Sequence, residues 1–156
     1  MNNLKEYDFV VYGATGFTGK LVVEYLVEKY SDNQEICWAL AGRNLEKLEL
    51  VANSKSVPKD IELLVVDSND IESIEKMVSK TKCVLTTVGP YQLYGNDIVA
   101  ACAKYGTDYV DLCGEPGWMH EKINELSDLA KESGSRILFS CGFDSIPFDL
   151  GVLFLQ

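Results

Sequence analysis

The feature that most constrains how this chain can fold is a repeated order of segments, in which a short apolar run is followed each time by a stretch with helical spacing. The runs are rich in Val, Ile, Leu and Tyr, and they are too continuous for strands that expose one face to water. Parallel neighbours in a sheet need a right-handed helical crossover between them. The order therefore predicts an α/β fold, with a parallel sheet of about six strands and helices on both faces. The predicted strands are Tyr7–Tyr12, Ile36–Ala41, Ile61–Val66, Cys83–Val88, Asp108–Cys113 and Arg136–Cys141.

The segments between these runs carry apolar residues at the spacing of one helix face, as expected for crossover helices that pack on a sheet. A further amphipathic stretch covers Trp118–Lys131, in which Trp118 and Met119 are expected to pack and His120 to lie at the surface. The apolar groups predicted to be buried are Leu21, Val22, Tyr25 and Leu26, then Leu45, Leu48 and Val51, and later Ile98, Val99 and Cys102.

A glycine-rich turn follows the first predicted strand. Gly13, Gly16 and Gly19 form a G-x-x-G-x-x-G pattern that opens the first predicted helix. Glycine permits a tight turn and a close approach of the backbone to a pyrophosphate, while amide N–H groups at the helix start point at the anion. The turn predicts a dinucleotide site in a Rossmann-type, doubly wound sheet with strand order 3-2-1-4-5-6. The alternative is that the glycines serve only a turn and close helix–strand packing.

A phosphate loop of the nucleoside-triphosphatase type must also be considered, because Gly19 and Lys20 resemble its end. That loop has the pattern G-x-x-x-x-G-K-[ST]. Here one more residue separates Gly13 from Gly19, and Leu21 follows Lys20, so the hydroxyl that would bind magnesium is missing. The spacing argues against a phosphate-loop kinase.

The end of the second predicted strand carries Gly42, Arg43 and Asn44, with no acidic residue. At this corner an Asp or Glu accepts from the ribose 2′-hydroxyl of NAD, whereas an Arg accommodates the 2′-phosphate of NADP. The guanidinium of Arg43 can make a bidentate contact to phosphate, and Asn44 can cap the helix Leu45 to Val51. NADP is therefore predicted, and NAD is less favoured. The alternative is that Arg43 is a solvated surface residue.

The third and fourth predicted strands end in further candidate contacts. Asp67 can accept from the adenine amino group, a role that the sequence leaves open, while Ser68 and Asn69 are expected to cap the helix Ile71–Ser79. The turn Gly89-Pro90 lies at the carboxyl edge, where ligands of open α/β sheets bind, so backbone contacts to the cofactor are expected there. Local turn geometry alone also explains these two residues.

Several segments together resemble the saccharopine dehydrogenase-like oxidoreductase family, in order and over essentially the whole chain. They are Gly13–Gly19, Ala41-Gly42-Arg43, Val88-Gly89-Pro90-Tyr91, Gly106–Glu115 and Gly142–Pro147. The resemblance implies an NADP-binding amino-terminal domain, which full-length members follow with a second α/β domain that binds substrate. It also implies cofactor contacts at Gly13, Thr15, Gly16, Phe17, Thr18, Arg43, Asp67 and Gly89. Gly19 of the turn and Pro90 complete the predicted cofactor-binding set.

By the same likeness, Tyr91, Glu115 and Asp144 fall near the nicotinamide edge, and they are the candidate catalytic residues. Glu115 and Asp144 can relay protons or hold a substrate amine, although backbone capping beside a glycine turn also explains them. Cys113 and Cys141 end the fifth and sixth predicted strands. Neither thiol has a base partner visible in the sequence, so structural burial is expected.

The Tyr and Lys pair of short-chain dehydrogenases offers a comparison, because one such spacing is present at Tyr25 and Lys29. The pair lies roughly two helical turns beyond the phosphate end, at about 1.5 Å per residue. It is therefore expected to point away from the nicotinamide, and that family's mechanism is not supported.

Composition limits the partners and the compartment. Lys and Arg number 14 against 24 Asp and Glu, for a net charge of −10, which argues against nucleic acid and anionic membranes as partners. The five cysteines are widely spaced and one histidine is present, so neither a disulfide framework nor a metal site is predicted. No apolar run reaches the roughly 18 residues of a membrane span. These observations favour a reduced, cytoplasmic protein.

A length of 156 residues fits one NAD(P)-binding domain. The segment Phe148–Gln156 is predicted to begin a new apolar helix, and it has neither a basic last turn nor a glycine cap. The chain is therefore expected to be the amino-terminal part of a longer protein, whose substrate domain is not included in these 156 residues. The parent reaction would be NADP-dependent hydride transfer to a small-molecule C=N, C=O or activated C=C, with the isolated chain inactive. A noncatalytic NADP sensor or scaffold is the alternative, and oligomerisation stays open.

Overall fold

A computed structural model describes residues 5–31 and 35–156 of the chain. Its centre is a sheet of 6 parallel strands in the order β3-β2-β1-β4-β5-β6. The predicted strand order and fold class are therefore confirmed. The strands are β1 Tyr7–Tyr12, β2 Trp38–Gly42, β3 Glu62–Val65, β4 Thr81–Thr86, β5 Asp108–Asp111 and β6 Ile137–Leu138.

Helices connect the strands and cover both faces of the sheet. On one face α1 and α2 pack on β1 and β2 through a cluster that includes Val11, Leu40 and Leu48. On the other face α3, α5 and α6 pack on the sheet through the larger cluster around Val84 and Tyr109. The helices are α1 Phe17–Tyr30, α2 Leu45–Ser54, α3 Ile71–Ser79, α4 Tyr91–Tyr94, α5 Asn96–Tyr105, α6 Pro116–Ser133 and α7 Ile146–Leu155.

The first strand has the predicted bounds Tyr7–Tyr12, whereas the other five are offset from, or shorter than, the apolar runs that predict them. The clearest offset is β4, which begins at Thr81 rather than Cys83 and ends at Thr86 rather than Val88. Thr81 fits a strand because its hydroxyl donates to the Met77 carbonyl at 2.7 Å and so satisfies a fully buried polar group. The end of the run, residues 87–88, leaves the sheet and enters the loop at its carboxyl edge.

Burial confirms only part of the predicted helix faces. Leu48, Val51, Ile98, Val99 and Cys102 are buried as predicted. In α1 the buried side chains are Val23 and Leu26, whereas Leu21 and Tyr25 are 52% and 55% exposed. Leu45 at the start of α2 is also exposed. The predictions for Leu21, Tyr25 and Leu45 are wrong because the inward face of each helix is narrower than its apolar pattern.

The N-terminal caps of α2 and α3 can be compared with the cap residues predicted from the sequence. Asn44 caps α2 as predicted, since its side chain accepts from the Lys47 amide at 2.8 Å. For α3 the prediction of Ser68 and Asn69 is wrong. Asp70 is the cap, and its carboxylate accepts from two amides of the first turn, at 3.1 and 3.3 Å. Asp70 takes the position because it directly precedes Ile71, the first helical residue.

Helix α7 follows the last strand and packs differently from the crossover helices. None of its residues is buried, and Phe148, Leu153 and Phe154 are exposed. The prediction of an apolar helix in this part of the chain is confirmed, although it begins at Ile146. Among the described residues, no helix is long and apolar enough to cross a bilayer.

Candidate functional site

The glycine turn between β1 and α1 needs glycine at its first position. Gly13 has a φ of +91°, in the region that favours glycine. A Cβ at this position would also lie 2.7 Å from Thr87 Oγ1 and 2.8 Å from Val88 Cγ2. The turn is therefore pressed against the loop after β4, and the backbone amide of Gly13 is held by the Ala41 carbonyl at 2.9 Å.

The start of α1 presents backbone donors. Gly16 occupies the cap position in an extended conformation and has no side chain to cap the helix. Its own amide bonds to the Gly13 carbonyl at 3.0 Å, and the Lys20 amide bonds to the Gly16 carbonyl at 3.0 Å. The amides between them belong to the first turn, whose N–H groups have no partner within the helix. Together with the helix dipole they form a suitable cradle for phosphate oxygens.

Gly19 serves the packing of this turn. A Cβ on Gly19 would collide with the carbonyl oxygen of Gly13 and lie 2.9 Å from the Ala14 Cα. Gly19 is buried and lines neither of the two pockets described below. Its lack of a side chain lets α1 lie directly on the turn, which matches the packing role of the last glycine in such patterns.

A first cavity, which we name the turn pocket, opens beside the glycine turn at the carboxyl edge. Its volume is about 270 Å³. It brings together five residues of the predicted cofactor-binding set, from three separate loops. It is lined by Tyr12, Gly13, Thr15, Gly16, Gly42, Arg43, Val66, Ser68, Thr87, Val88, Gly89 and Tyr94.

The predicted residues Phe17, Asp67 and Pro90 lie outside the lining of the turn pocket. Phe17 is 84% exposed at the start of α1. The Asp67 carboxylate accepts from the backbone amide of Asn69 at 2.9 Å, so it stabilises its own turn. Thr18 lines the neighbouring cavity instead. The structure thus divides the predicted set between pocket walls and supporting positions.

Arg43 and Tyr12 shape the charged end of the turn pocket. Arg43 is exposed directly after β2. Burial raises the pKa of Tyr12 to about 12, the negative charge of Asp67 adds to that rise, and the nearby Ser68 and Arg43 oppose it. A cationic side chain, a buried phenol and a hydroxyl therefore meet in one place, where they can bind an anion and the sugar that carries it.

A second cavity, which we name the edge pocket, lies beyond the glycine turn at the ends of β5 and β6. Its volume is about 430 Å³, and Thr87 lines both pockets. Among the described residues, no Lys, Arg or His lines it. Its walls are Thr18, Val22, Leu85, Thr86, Thr87, Val110, Asp111, Leu112, Cys113, Gly114, Cys141, Gly142, Phe143, Asp144 and Ser145.

Asp111 organises the floor of the edge pocket, and sequence reasoning did not single it out. The side chain is buried, and it accepts from the Tyr109 hydroxyl at 2.8 Å, the Cys113 amide at 3.0 Å and the Ser140 amide at 2.7 Å. Burial raises the pKa of Asp111, and these hydrogen bonds oppose the rise. The available signal was an acid between the apolar residues Val110 and Leu112 at the end of a strand, since a buried charge needs buried partners.

The three candidate catalytic residues have different surroundings. Asp144 is exposed and lines the edge pocket. Tyr91 is buried outside both pockets, and burial raises the pKa of its phenol. Glu115 also lies outside both pockets, where its carboxylate accepts from the backbone amides of Tyr91 at 2.7 Å and Gln92 at 2.9 Å. Only Asp144 therefore has direct access to a molecule in the edge pocket.

The two thiols of the edge pocket are protonated at neutral pH. Burial raises the pKa of Cys113 to about 11 and raises that of Cys141. Cys113 is buried as expected, whereas Cys141 is partly exposed. All five cysteines of the chain are free. A raised pKa argues against either thiol as a nucleophile.

The remaining predictions concern side chains outside the pockets. Trp118 is buried, its indole N–H donates to Asn96 Oδ1 at 2.9 Å, and its ring lies 5.7 Å from that of Tyr91, so its predicted packing role is confirmed. His120 is exposed on α6, as predicted. Tyr25 and Lys29 line neither pocket.

Comparison with known proteins identifies the family to which this chain is similar. The chain matches a family model described as the saccharopine dehydrogenase NADP binding domain over residues 9–138. It is 43% identical over 158 residues to a lipid droplet localized protein of Caenorhabditis elegans, with 98% of this chain and 37% of that protein covered. It is 45% identical over 153 residues to a trans-acting enoyl reductase of Mycobacterium tuberculosis, with coverage of 95% and 35%. The chain thus spans about a third of the length of these relatives.

Solved structures share the fold at low sequence identity. An apo saccharopine dehydrogenase (L-Glu forming) of Saccharomyces cerevisiae has a TM-score of 0.67 at 17% identity, over 88% of this chain and 28% of that one. A triphenylmethane reductase of Citrobacter sp. complexed with NADP(H) has a TM-score of 0.60 at 21% identity, over 84% and 48%.

The family match covers most of the strands and all the loops that form the turn pocket, and it confirms the resemblance carried by the separate sequence segments. The glycine turn and Arg43 lie within the matched residues. The chain belongs to the saccharopine dehydrogenase NADP-binding domain family of oxidoreductases, and its cofactor is NADP.

Proposed function

We propose that this chain is the NADP-binding part of a reductase that transfers hydride between NADP(H) and a C=N, C=O or activated C=C bond. The observation that carries the proposal is the junction of the two pockets at Thr87. One pocket offers a phosphate cradle and an arginine, while the adjoining one is largely apolar. A dinucleotide that crosses this junction has its charged half in the first pocket and its reactive ring in the second.

The glycine turn is suited to hold the pyrophosphate. Gly13 and Gly16 let the cofactor approach the backbone, and the first amides of α1 donate to its oxygens. Thr15 and Thr18 add side-chain hydroxyls on either side of the turn, since each lines one pocket. We assign the pyrophosphate to this turn.

The adenosine half is assigned to the corner after β2. The Arg43 guanidinium is proposed to bind the ribose 2′-phosphate in a bidentate contact, which would favour NADP over NAD. Gly89 and Pro90 are proposed to approach the cofactor through their backbone, since Gly89 lines the turn pocket and Pro90 follows it. An adenine contact by Asp67 would have to be made in addition to its bond to Asn69.

When bound, NADPH supplies a hydride from the nicotinamide ring. The residues of this chain orient that ring and shield it, since Val22, Leu85 and Val110 form apolar walls in the edge pocket. Reduction of a C=N, C=O or activated C=C bond also requires a proton. Asp144 is our candidate to deliver or to relay it, because its carboxyl is the exposed acid that lines this pocket.

We propose that a further domain of a longer protein supplies most of the substrate contacts. Helix α7 supports this proposal, because its residues are apolar apart from Asp149 and none of them is buried. A helix of this kind is normally covered by protein. We propose a cytoplasmic location on the basis of the five free thiols, which suit a reducing compartment.

The competing proposal is a noncatalytic module that binds NADP as a sensor or scaffold. The full reading frame separates the two at low cost, because the reductase needs a substrate domain after Gln156. A frame that ends at Gln156 favours the binding module.

The direct experiment follows NADPH absorbance with the full-length protein that carries residues 1–156, using a cyclic imine, an aldehyde and an enone as acceptors. The reductase proposal expects many turnovers with one class and a large loss in the Asp144→Asn variant. The isolated chain is expected to bind NADPH without turnover. If the full-length protein binds NADPH but none of the three acceptor classes oxidises it, the result contradicts hydride transfer. That result supports the noncatalytic NADP-binding module.

A further inference from the structure

Glu115 connects the loop after β5 to the start of α4 at the carboxyl edge of the sheet. It precedes α6, and its two carboxylate oxygens accept separately from consecutive backbone amides, Tyr91 at 2.7 Å and Gln92 at 2.9 Å. Hydrogen bonds from amides to an ionised carboxylate are about twice as strong as neutral ones. The loop after β5 is thereby tied to the first turn of α4, which directly follows the loop after β4.

Tyr91 makes the same connection from its other end. Its hydroxyl donates to the Thr86 carbonyl at 3.3 Å and accepts from the Leu112 amide at 3.4 Å. Its ring packs against Trp118 of α6. We name the contacts of Glu115 and Tyr91 with these loops the loop clamp. The clamp fixes the spacing between the ends of β4 and β5.

The loop clamp lies behind the pocket walls and is not part of them. Residues 87–89, just before the clamped amides, line the turn pocket, and residues 112–114, just before Glu115, line the edge pocket. Neither Glu115 nor Tyr91 lines either cavity. A shift of one loop against the other would therefore change the position of one pocket relative to the other.

We propose that Glu115 is a positioning residue, which holds the loops after β4 and β5 in register so that one cofactor fits both pockets at once. This inference rests on the proposed binding of NADP across the two pockets. It replaces a proton relay as the role of Glu115, because both of its oxygens already accept from backbone amides and neither faces a pocket. The expected consequence is selective. Loss of the clamp weakens binding at the nicotinamide end and spares the adenosine end.

A comparison of two ligands tests this selectivity. NADPH occupies both pockets in the proposed mode, whereas adenosine 2′,5′-bisphosphate carries the 2′-phosphate end and lacks the nicotinamide. For Glu115→Ala we expect the Kd of NADPH to rise about tenfold, while the Kd of the bisphosphate stays within about twofold. Glu115→Gln is expected to lie between, because its amide keeps one acceptor oxygen and places an NH2 group against the other backbone donor.

Two further variants separate positioning from general stability. Tyr91→Phe removes the hydroxyl of the loop clamp while keeping the ring on Trp118, and it should show the same selective loss of NADPH affinity. Glu132→Ala removes an exposed acid from the same helix as Trp118 and should change neither Kd. Thermal unfolding followed by circular dichroism gives the temperature range in which each variant is folded, and the titrations are made within it.

The outcomes distinguish this inference from the proposed function. If the unaltered chain binds both ligands and Glu115→Ala weakens both equally, Glu115 has only a structural role and the inference is wrong. It is also wrong if Glu115→Ala changes neither Kd. If the unaltered chain binds neither ligand, the assignment of NADP to these pockets fails first.

Discussion

The α-carbon of Gly19 faces the carbonyl oxygen of Gly13 so closely that a side chain on Gly19 has no room. A Cβ at this position would collide with that oxygen and lie 2.9 Å from the Ala14 Cα. The obstruction is backbone and not the end of a flexible side chain. Relief would require α1 to move away from the turn, and with it the amides that are proposed to bind the pyrophosphate.

Gly19→Ala should therefore destabilise the fold despite the better helix propensity of alanine. Overpacking costs typically about 1–3 kcal/mol, and we expect a loss of at least this size in the free energy of unfolding. Chemical denaturation measures it. Gly117→Ala in α6 is the matched control, because a Cβ at Gly117 meets nothing within 4 Å. The control should be neutral or more stable, and an equal loss in both variants would contradict the steric account.

The cap of α3 gives a second prediction. The Asp70 carboxylate accepts from the amides of Glu72 and Ser73, so Asp70→Ala should lower the free energy of unfolding by about 1 kcal/mol. Asn69→Ala is the control, since Asn69 bonds to Asp67 and does not cap the helix. Denaturant titration of both variants gives the comparison. A larger loss of unfolding free energy in Asn69→Ala than in Asp70→Ala would instead support Asn69 as the cap, as predicted from the sequence.

Asp111 allows a third prediction, based on its three hydrogen-bond donors. Asp111→Ala leaves the Tyr109 hydroxyl and the amides of Cys113 and Ser140 without this acceptor. An unsatisfied buried donor costs about 1–3 kcal/mol, so we expect a loss of at least about 2 kcal/mol in the free energy of unfolding. Asp128→Ala, which removes an exposed acid of α6, should change it little. Near-equal stability of the two variants would show that the donors find other acceptors.

The protonation of Asp111 adds a pH dependence. Burial raises the pKa of Asp111, so the folded chain binds this proton more tightly than the unfolded chain does. Its contribution to stability therefore falls as pH rises from the ordinary Asp value of about 3.9 through the raised pKa. Asp111→Asn lacks this titration, and its stability relative to the unaltered chain should increase over that window. Denaturation midpoints at a series of pH values test the sign, and parallel profiles would contradict it.

The fold could be predicted from the sequence because its signals are local and repeated. Each apolar run lies in or beside a strand, and the turn at Gly13 fixes where the order of strands reverses. The predictions failed where one apolar pattern fits two faces, as at Leu21 and Tyr25, which are exposed in α1. Three-dimensional packing decides which side of such a helix is turned inward.

The site was predicted less completely, since its parts depend on contacts between distant loops. Arg43 and the glycines follow a pattern with a direct chemical meaning. Asp111 and Glu115 act through backbone amides 29 and 24 residues away, and no spacing rule in the sequence encodes such pairs. Glu115 was recognised as a candidate for chemistry, but its two amide partners became visible only in the folded chain.

We expect Arg43 to bind the 2′-phosphate of NADP at the corner after β2, and a fluorescence titration with NADPH and NADH measures this preference. The unaltered chain should bind NADPH at least about tenfold more tightly than NADH. Arg43→Asp should reverse or abolish this preference, because the bidentate contact becomes a repulsion. Lys59→Asp makes the same change of charge at an exposed position before β3 and should keep the preference. Equal affinities of the unaltered chain for NADPH and NADH would contradict the account.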